Sequence, residues 1–225
     1  MITLKYFKMK KNFLKILFIT ALIISITGCK DKAKEATTTA AEAVEKTVNS
    51  EIYNVNNEAS IIEWKGFKPT GSNNGTISIE RGVLDVTDGK IVGGSFIIDM
   101  TSIVVTDIPA DDKGNAKLKA HLTNQDFFDV EKHPSAGFTI TGLAEVEGKM
   151  MLSGNLSLKD AKNNVTFPVT VSNENGVITL TSETFSIDRT KWNVKYGSKS
   201  IFDNLGDKFI NDDMELKVMV TAVKS

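Results

Sequence analysis

Leu118–Ile140, LKAHLTNQDFFDVEKHPSAGFTI, interrupts an otherwise strand-like sequence and decides how the rest is read. Leu118 and Leu122 are four apart, as on one face of a short helix, and Phe127 and Phe128 follow where such a helix would run into a loop. His133-Pro134 stops any helix, because proline disfavours the α region in the residue before it. Phe138 and Ile140 then begin a period-two pattern. The stretch predicts a short apolar-faced helix, an aromatic loop and the start of a strand, a plug for one end of a sheet closed on itself.

On both sides of this plug the pattern is alternation. Met150, Leu152, Gly154, Leu156 and Leu158 face one way, and Ser153, Asn155 and Ser157 the other. Val165, Phe167, Val169 and Val171 alternate with Thr166, Pro168, Thr170 and Ser172; Met214, Leu216, Val218, Val220 and Ala222 do so with polar neighbours. Each strand therefore has one wet and one dry face. Arg81-Gly82, Asp88-Gly89, Glu147-Gly148 and Asn175-Gly176 supply turn signals between the runs, so consecutive strands pair as antiparallel neighbours. The apolar phase shifts between Ile178 and Leu180 on one side and Phe185 and Ile187 on the other, which predicts a bulge near Ser182 to Thr184.

Some eight to ten runs between Ile52 and Val223 are enough for an all-β antiparallel barrel of about eight strands. A two-sheet sandwich shares this local pattern. The inserted helix favours a barrel, since a sandwich has no need of it.

Residues 1–28 read as a lipoprotein signal peptide. Lys5, Lys8, Lys10, Lys11 and Lys15 precede or begin an apolar run from Ile16 to Ile26, well short of the roughly 20 residues a membrane-spanning helix needs. Ile26-Thr27-Gly28-Cys29 resembles a lipobox, and Met9 is an alternative initiator. Cys29 is the only cysteine, which rules out an intramolecular disulfide and leaves it as an attachment point for acyl chains, making the membrane a partner. Residues 29–50 form the lipidated cysteine and a flexible tether, KDKAKEATTTAAEAVEKTVNS after Cys29, with a nascent helix over Ala40 to Val48 and too little to bury to offset its ordering entropy. Residues 51–225 form the barrel domain. The expected location is the bacterial cell envelope, on the periplasmic face or the outer-membrane surface.

Removing the five signal lysines from 27 basic residues set against 28 acidic ones leaves a mature charge of −6. A net acidic body without a Lys/Arg cluster argues against nucleic acid, whose binding rests on phosphate neutralisation.

Several pieces in order resemble the YceI-like family of lipocalin-like barrels over essentially all of Glu51 to Lys224. They are Trp64-Lys65-Gly66 with Lys68, Gly71-Ser72 and Gly75; Gly93-Gly94-Ser95-Phe96 leading to Asp99-Met100; Leu118, His121-Leu122 and Asp126-Phe127-Phe128-Asp129-Val130; Lys132-His133-Pro134; Gly154-Asn155-Leu156-Ser157-Leu158-Lys159; and Ile187-Asp188-Arg189 before Trp192. Asn73, His133 and Asp160-Ala161 depart from the family pattern. The resemblance implies an envelope protein that binds an isoprenoid, quinone or other long-chain amphiphile in the barrel interior. The expected wall is Trp64, Phe96, Ile98, Phe138, Ile140, Leu152, Leu156, Phe167, Val169, Ile187, Leu216 and Val218, with Arg189 available to a head group. Core packing, and a structural ion pair of Arg189 with Asp188 or Asp99, are the plainer readings of the same residues. Two other functions stay open: a structural or stress-protective envelope protein with a filled barrel, and an enzyme acting on lipid.

No catalytic residues, metal ligands or cofactor are expected. His121 and His133 lack the spacing of a metal pair, Asp111-Asp112 and Asn211-Asp212-Asp213 lack the alternate-ligand pattern of a calcium loop, and no nucleophile elbow or phosphate loop occurs. The segment between Trp192 and Asp212 is too long for a hairpin. Ile201, Phe202 and Leu205 are expected to form a hinged apolar lid over the barrel mouth, the alternative being a satellite cluster packed on the outside.

Overall fold

The computed structural model describes residues 33–44 and 49–225; the segment expected as a signal peptide and Cys29 lie outside the described residues. Two short strands, β1 (Lys34–Glu35) and β2 (Thr37–Ala40), precede β3 (Glu51–Val55), β4 (Ile61–Lys68), β5 (Gly71–Thr87) and β6 (Lys90–Val105). Helix α1 (Lys113–Thr123) follows, then β7 (Ser135–Val146), β8 (Lys149–Leu158), β9 (Ala161–Glu174), β10 (Val177–Ser182), β11 (Phe185–Asp188) and β12 (Asp213–Lys224). Antiparallel pairing runs β4–β5–β6–β7–β8–β9–β10–β12, and β12 pairs back onto β4, closing a ring of eight strands. β3 and β4 lie end to end against β5 and β12, as β10 and β11 do against β12.

Three expected turns join hairpins at one end. Asp88-Gly89, Glu147-Gly148 and Asn175-Gly176 have positive φ at both residues, the tight-turn geometry whose twist matches the flanking strands. Lys159-Asp160 makes the same kind of turn at the other end without a glycine. Arg81-Gly82 is a correction: it lies inside the long β5, where the register against β6 shifts between Ile79 and Arg81. Glycine is needed there because a Cβ on Gly82 would come within 2.7 Å of the Phe96 ring, so the signal marks close packing and not a turn.

The plug forms as expected. Asp112 caps α1 by accepting from Gly114 N–H at 2.6 Å, and Leu122, Phe127 and Phe128 are buried. Lys159 ties the loop down by donating to the Gln125 carbonyl at 3.0 Å and to that of Phe127; burial lowers its pKa, with Asp129 and Asp126 opposing. The bulge expected near Ser182 to Thr184 is present between β10 and β11, where these three residues stand opposite Lys217 and Val218 of β12, with Glu183 N–H donating to the Pro168 carbonyl and Val218 N–H to the Ser182 hydroxyl.

The stretch expected as tether differs over Lys34–Ala40. β1 pairs parallel with β11, β2 pairs antiparallel with β9, and Ala36 is buried between them. Thr37, Thr38 and Thr39 explain the outcome, since β-branched side chains favour extended backbone and the sheet supplies the hydrogen bonds that an isolated segment lacks.

Candidate functional site

Inward positions from β4 through β12 enclose a cavity lined by fifteen side chains, every one apolar. Four phenylalanines run around its wall: Phe96 and Phe138 at 6.3 Å between ring centroids, Phe138 and Phe167 at 6.0 Å, and Phe167 and Phe185 stacked at 4.1 Å with their planes 6° apart. Gly154 on β8 makes room for this ladder, because a Cβ there would lie 2.2 Å from the Phe138 ring. The cavity measures about 80 Å³. That is about half the roughly 150 Å³ of an apolar cavity that holds one benzene ring, so a long chain enters only if the wall moves.

Of the expected wall, Phe96, Ile98, Phe138, Leu152, Leu156, Phe167, Ile187, Leu216 and Val218 line this cavity. Ile140 and Val169 are buried without lining it. Trp64 instead borders a second cavity of about 50 Å³ beneath the plug, with Ile77, Ile103, Leu122, Phe127 and Phe128 among its neighbours. Its Nε1 is buried without a hydrogen-bond partner. Ile62, Ile79, Val165, Leu180, Phe185 and Val220 line the main cavity and were missed. Their signal was available: Ile62, Val165 and Phe185 stand two before Trp64, Phe167 and Ile187, and Val220 stands two after Val218.

Arg189 does not face the main cavity. It is 3% exposed and donates from Nη1 to the Val194 carbonyl at 2.6 Å, from Nε to that of Asn211 at 3.0 Å and from Nη2 to that of Ile210 at 3.1 Å. Asp212 stands 3.7 Å away as its ion-pair partner, in place of the expected Asp188 or Asp99. Burial lowers the guanidinium's pKa, with Asp212 and then Asp188 acting against it. Arg189 thus braces the carbonyls of the following loop, buried away from any head group in the main cavity.

That loop does not cover the main cavity. Ile201 and Phe202 are 43% and 48% exposed, Leu205 is half-buried, and none of the three lines either cavity. Ile201 and Phe202 N–H groups donate to the Ser198 carbonyl in a tight turn, and the nearby 3-10 helix is Gly206–Lys208, so the expected helical face does not form. The segment is instead clamped to the plug: Tyr196 meets His121 edge-on at 4.8 Å, and Ile210 borders the second cavity.

No group of three or more His, Cys, Asp or Glu side chains among the described residues could hold a metal ion, and no helix among them is long and apolar enough to cross a membrane. Residues 53–222 match the YceI-like domain. The chain belongs to the YceI-like family. Two solved structures share the YceI-like fold seen here. One is BcnA of Burkholderia cenocepacia, 20% identical with a TM-score of 0.58, the match covering 75% of this chain and 99% of that one. The other is described as a polyisoprenoid binding domain from Saccharophagus degradans implicated in plant cell wall breakdown; it is 14% identical with a TM-score of 0.55, over 77% of this chain and 98% of that one. No curated protein matches the chain.

Proposed function

We propose that the chain is a lipid-anchored envelope protein that holds an isoprenoid, quinone or other long-chain amphiphile inside its barrel. The observation that carries this reading is the wholly apolar lining of the main cavity, drawn from every strand of the ring. Such a space stays dry, and each methylene moved into it from water gains roughly 0.8 kcal/mol. Family membership supports the reading, as does the Saccharophagus relative's description as a polyisoprenoid binding domain. The anchor rests on Ile26-Thr27-Gly28-Cys29. A filled barrel with a structural or protective role is the second reading, and the small size of the cavity favours it.

Native mass spectrometry of the full chain purified from its own membranes, followed by lipid extraction, separates the two. One long-chain lipid per chain is the expected result, and a chain at its bare acylated mass would select the filled barrel. For the anchor, Cys29→Ser is expected to abolish acylation and either release the protein to the soluble fraction or leave the signal uncleaved. Continued acylation of that variant would refute the lipobox assignment.

A further inference from the structure

The barrel wall has a seam between the first half of β9 and β11. β9 pairs with β10 from Val169 to Glu174, but residues 163–166 pair with β2, while β11 takes β1 as its partner. The split begins at Pro168, whose carbonyl accepts from Glu183 N–H on the β10 side and whose ring nitrogen has no proton to offer on that side. The segment Lys34–Ala40 fills the opening, lies outside the residues that match the family, and starts close behind Cys29.

We propose that this segment is a displaceable strap and that the seam beneath it is the gate through which a lipid chain enters and leaves the main cavity. The inference rests on the lipid-binding reading above and adds where exchange takes place.

Four observations support it. First, the inner face of the seam is cavity wall: Val165 and Phe167 from one side, Phe185 and Ile187 from the other, with the Phe167 and Phe185 rings stacked across it. Second, the strap buries little apolar surface of its own, a single alanine side chain, Ala36. Third, what lies on the outer face is polar and suited to water. Asn155, Asn164 and Ser186 are buried there; the Asn155 amide grips the Glu42 backbone, accepting from its N–H at 2.9 Å and donating to its carbonyl at 2.8 Å. Asn164 in turn donates to Asn155 and to the Thr141 hydroxyl. Release of the strap therefore exchanges hydrogen bonds with protein for hydrogen bonds with water and exposes little apolar area. Fourth, the cavity is too small for a long chain as it stands, so a chain enters only where part of the wall can move.

A reversible lock tests the gate. Thr37 and Thr166 are Cα partners on the outer face, and antiparallel partners about 4.5–5.5 Å apart fall within the reach of a disulfide. The full chain carrying Thr37→Cys and Thr166→Cys is reconstituted in phosphatidylethanolamine–phosphatidylglycerol vesicles. Uptake and release of the fluorescent 18-carbon probe cis-parinaric acid are then followed before and after reduction. Single-cysteine variants exclude a disulfide to Cys29. The oxidised form is expected to slow both rates by about tenfold or more with affinity changed by less than about twofold, and reduction restores them. Asn155→Ala, outside the cavity, is expected to speed both rates. Equal rates in the two redox states overturn the gate and leave lipid binding standing, as does a lock that slows only one of the two rates. Failure of the reduced protein to take up probe overturns both.

Discussion

Where β12 meets β4, six consecutive residue pairs from Met214 with Gly66 to Met219 with Ile61 close the wall directly; where β9 approaches β11, a segment from the start of the described chain stands between them. Both junctions have apolar inner faces, Leu216 and Val218 at the first and Phe167 and Phe185 at the second. They differ in how the backbone is satisfied. At β4 each strand supplies its neighbour, and separating them would strip a buried ladder. At β9 the strap supplies the partners, and water can take its place. Equal hydrophobic closure thus coexists with unequal backbone closure, and it is the backbone that decides which junction can open.

The largest expected effect probes the shared part of this comparison. Phe167→Arg buries an unpaired charge at the inner face and should cost about 3–5 kcal/mol, whereas Thr166→Arg on the outer face should cost about 1 kcal/mol or less. Urea unfolding midpoints measure both, and equal tolerance would show that the strapped junction has no true core face. Proline substitution probes the unequal part. Val218 N–H points to Ser182, so that of Lys217 points to β4; Lys217→Pro should cost about 2–3 kcal/mol. Thr39→Pro should cost less than about 1 kcal/mol, because the loss cannot exceed the free energy of docking the strap, which simply lets go. Comparable losses at the two sites would make the strap an ordinary strand. The smallest effect concerns the loop: changing Ile201, Phe202 and Leu205 together to Ser should shift stability by less than about 1 kcal/mol and leave bound lipid unchanged in extracts. Loss of lipid would restore the loop as a cover.

Alternation made the ring legible, because period two fixes which side chains face inward wherever one face is dry, as at Leu152 and Leu156 on β8. It carries no information about height along the barrel axis, and so Trp64, with the right face, was placed in the wrong cavity. Arg189 was misread because its partners are three backbone carbonyls, which no residue type announces. The strap was invisible for a related reason. Its side chains contribute almost nothing to the core, and its place is set by unpaired strand edges and by Asn155, more than a hundred residues away.

That distance has a consequence for how the molecule is made. Asn155 and Glu42 are 113 residues apart in sequence, and the strap is synthesised before either of the strands it joins. Hairpins such as β7–β8 and β8–β9 rest on local contacts, whereas docking the strap closes loops of more than a hundred residues at a higher entropic cost. Until the strap docks, β9 and β11 present bare edges of the kind that recruit strands from neighbouring chains. In the folded chain the strap therefore also occupies those two edges.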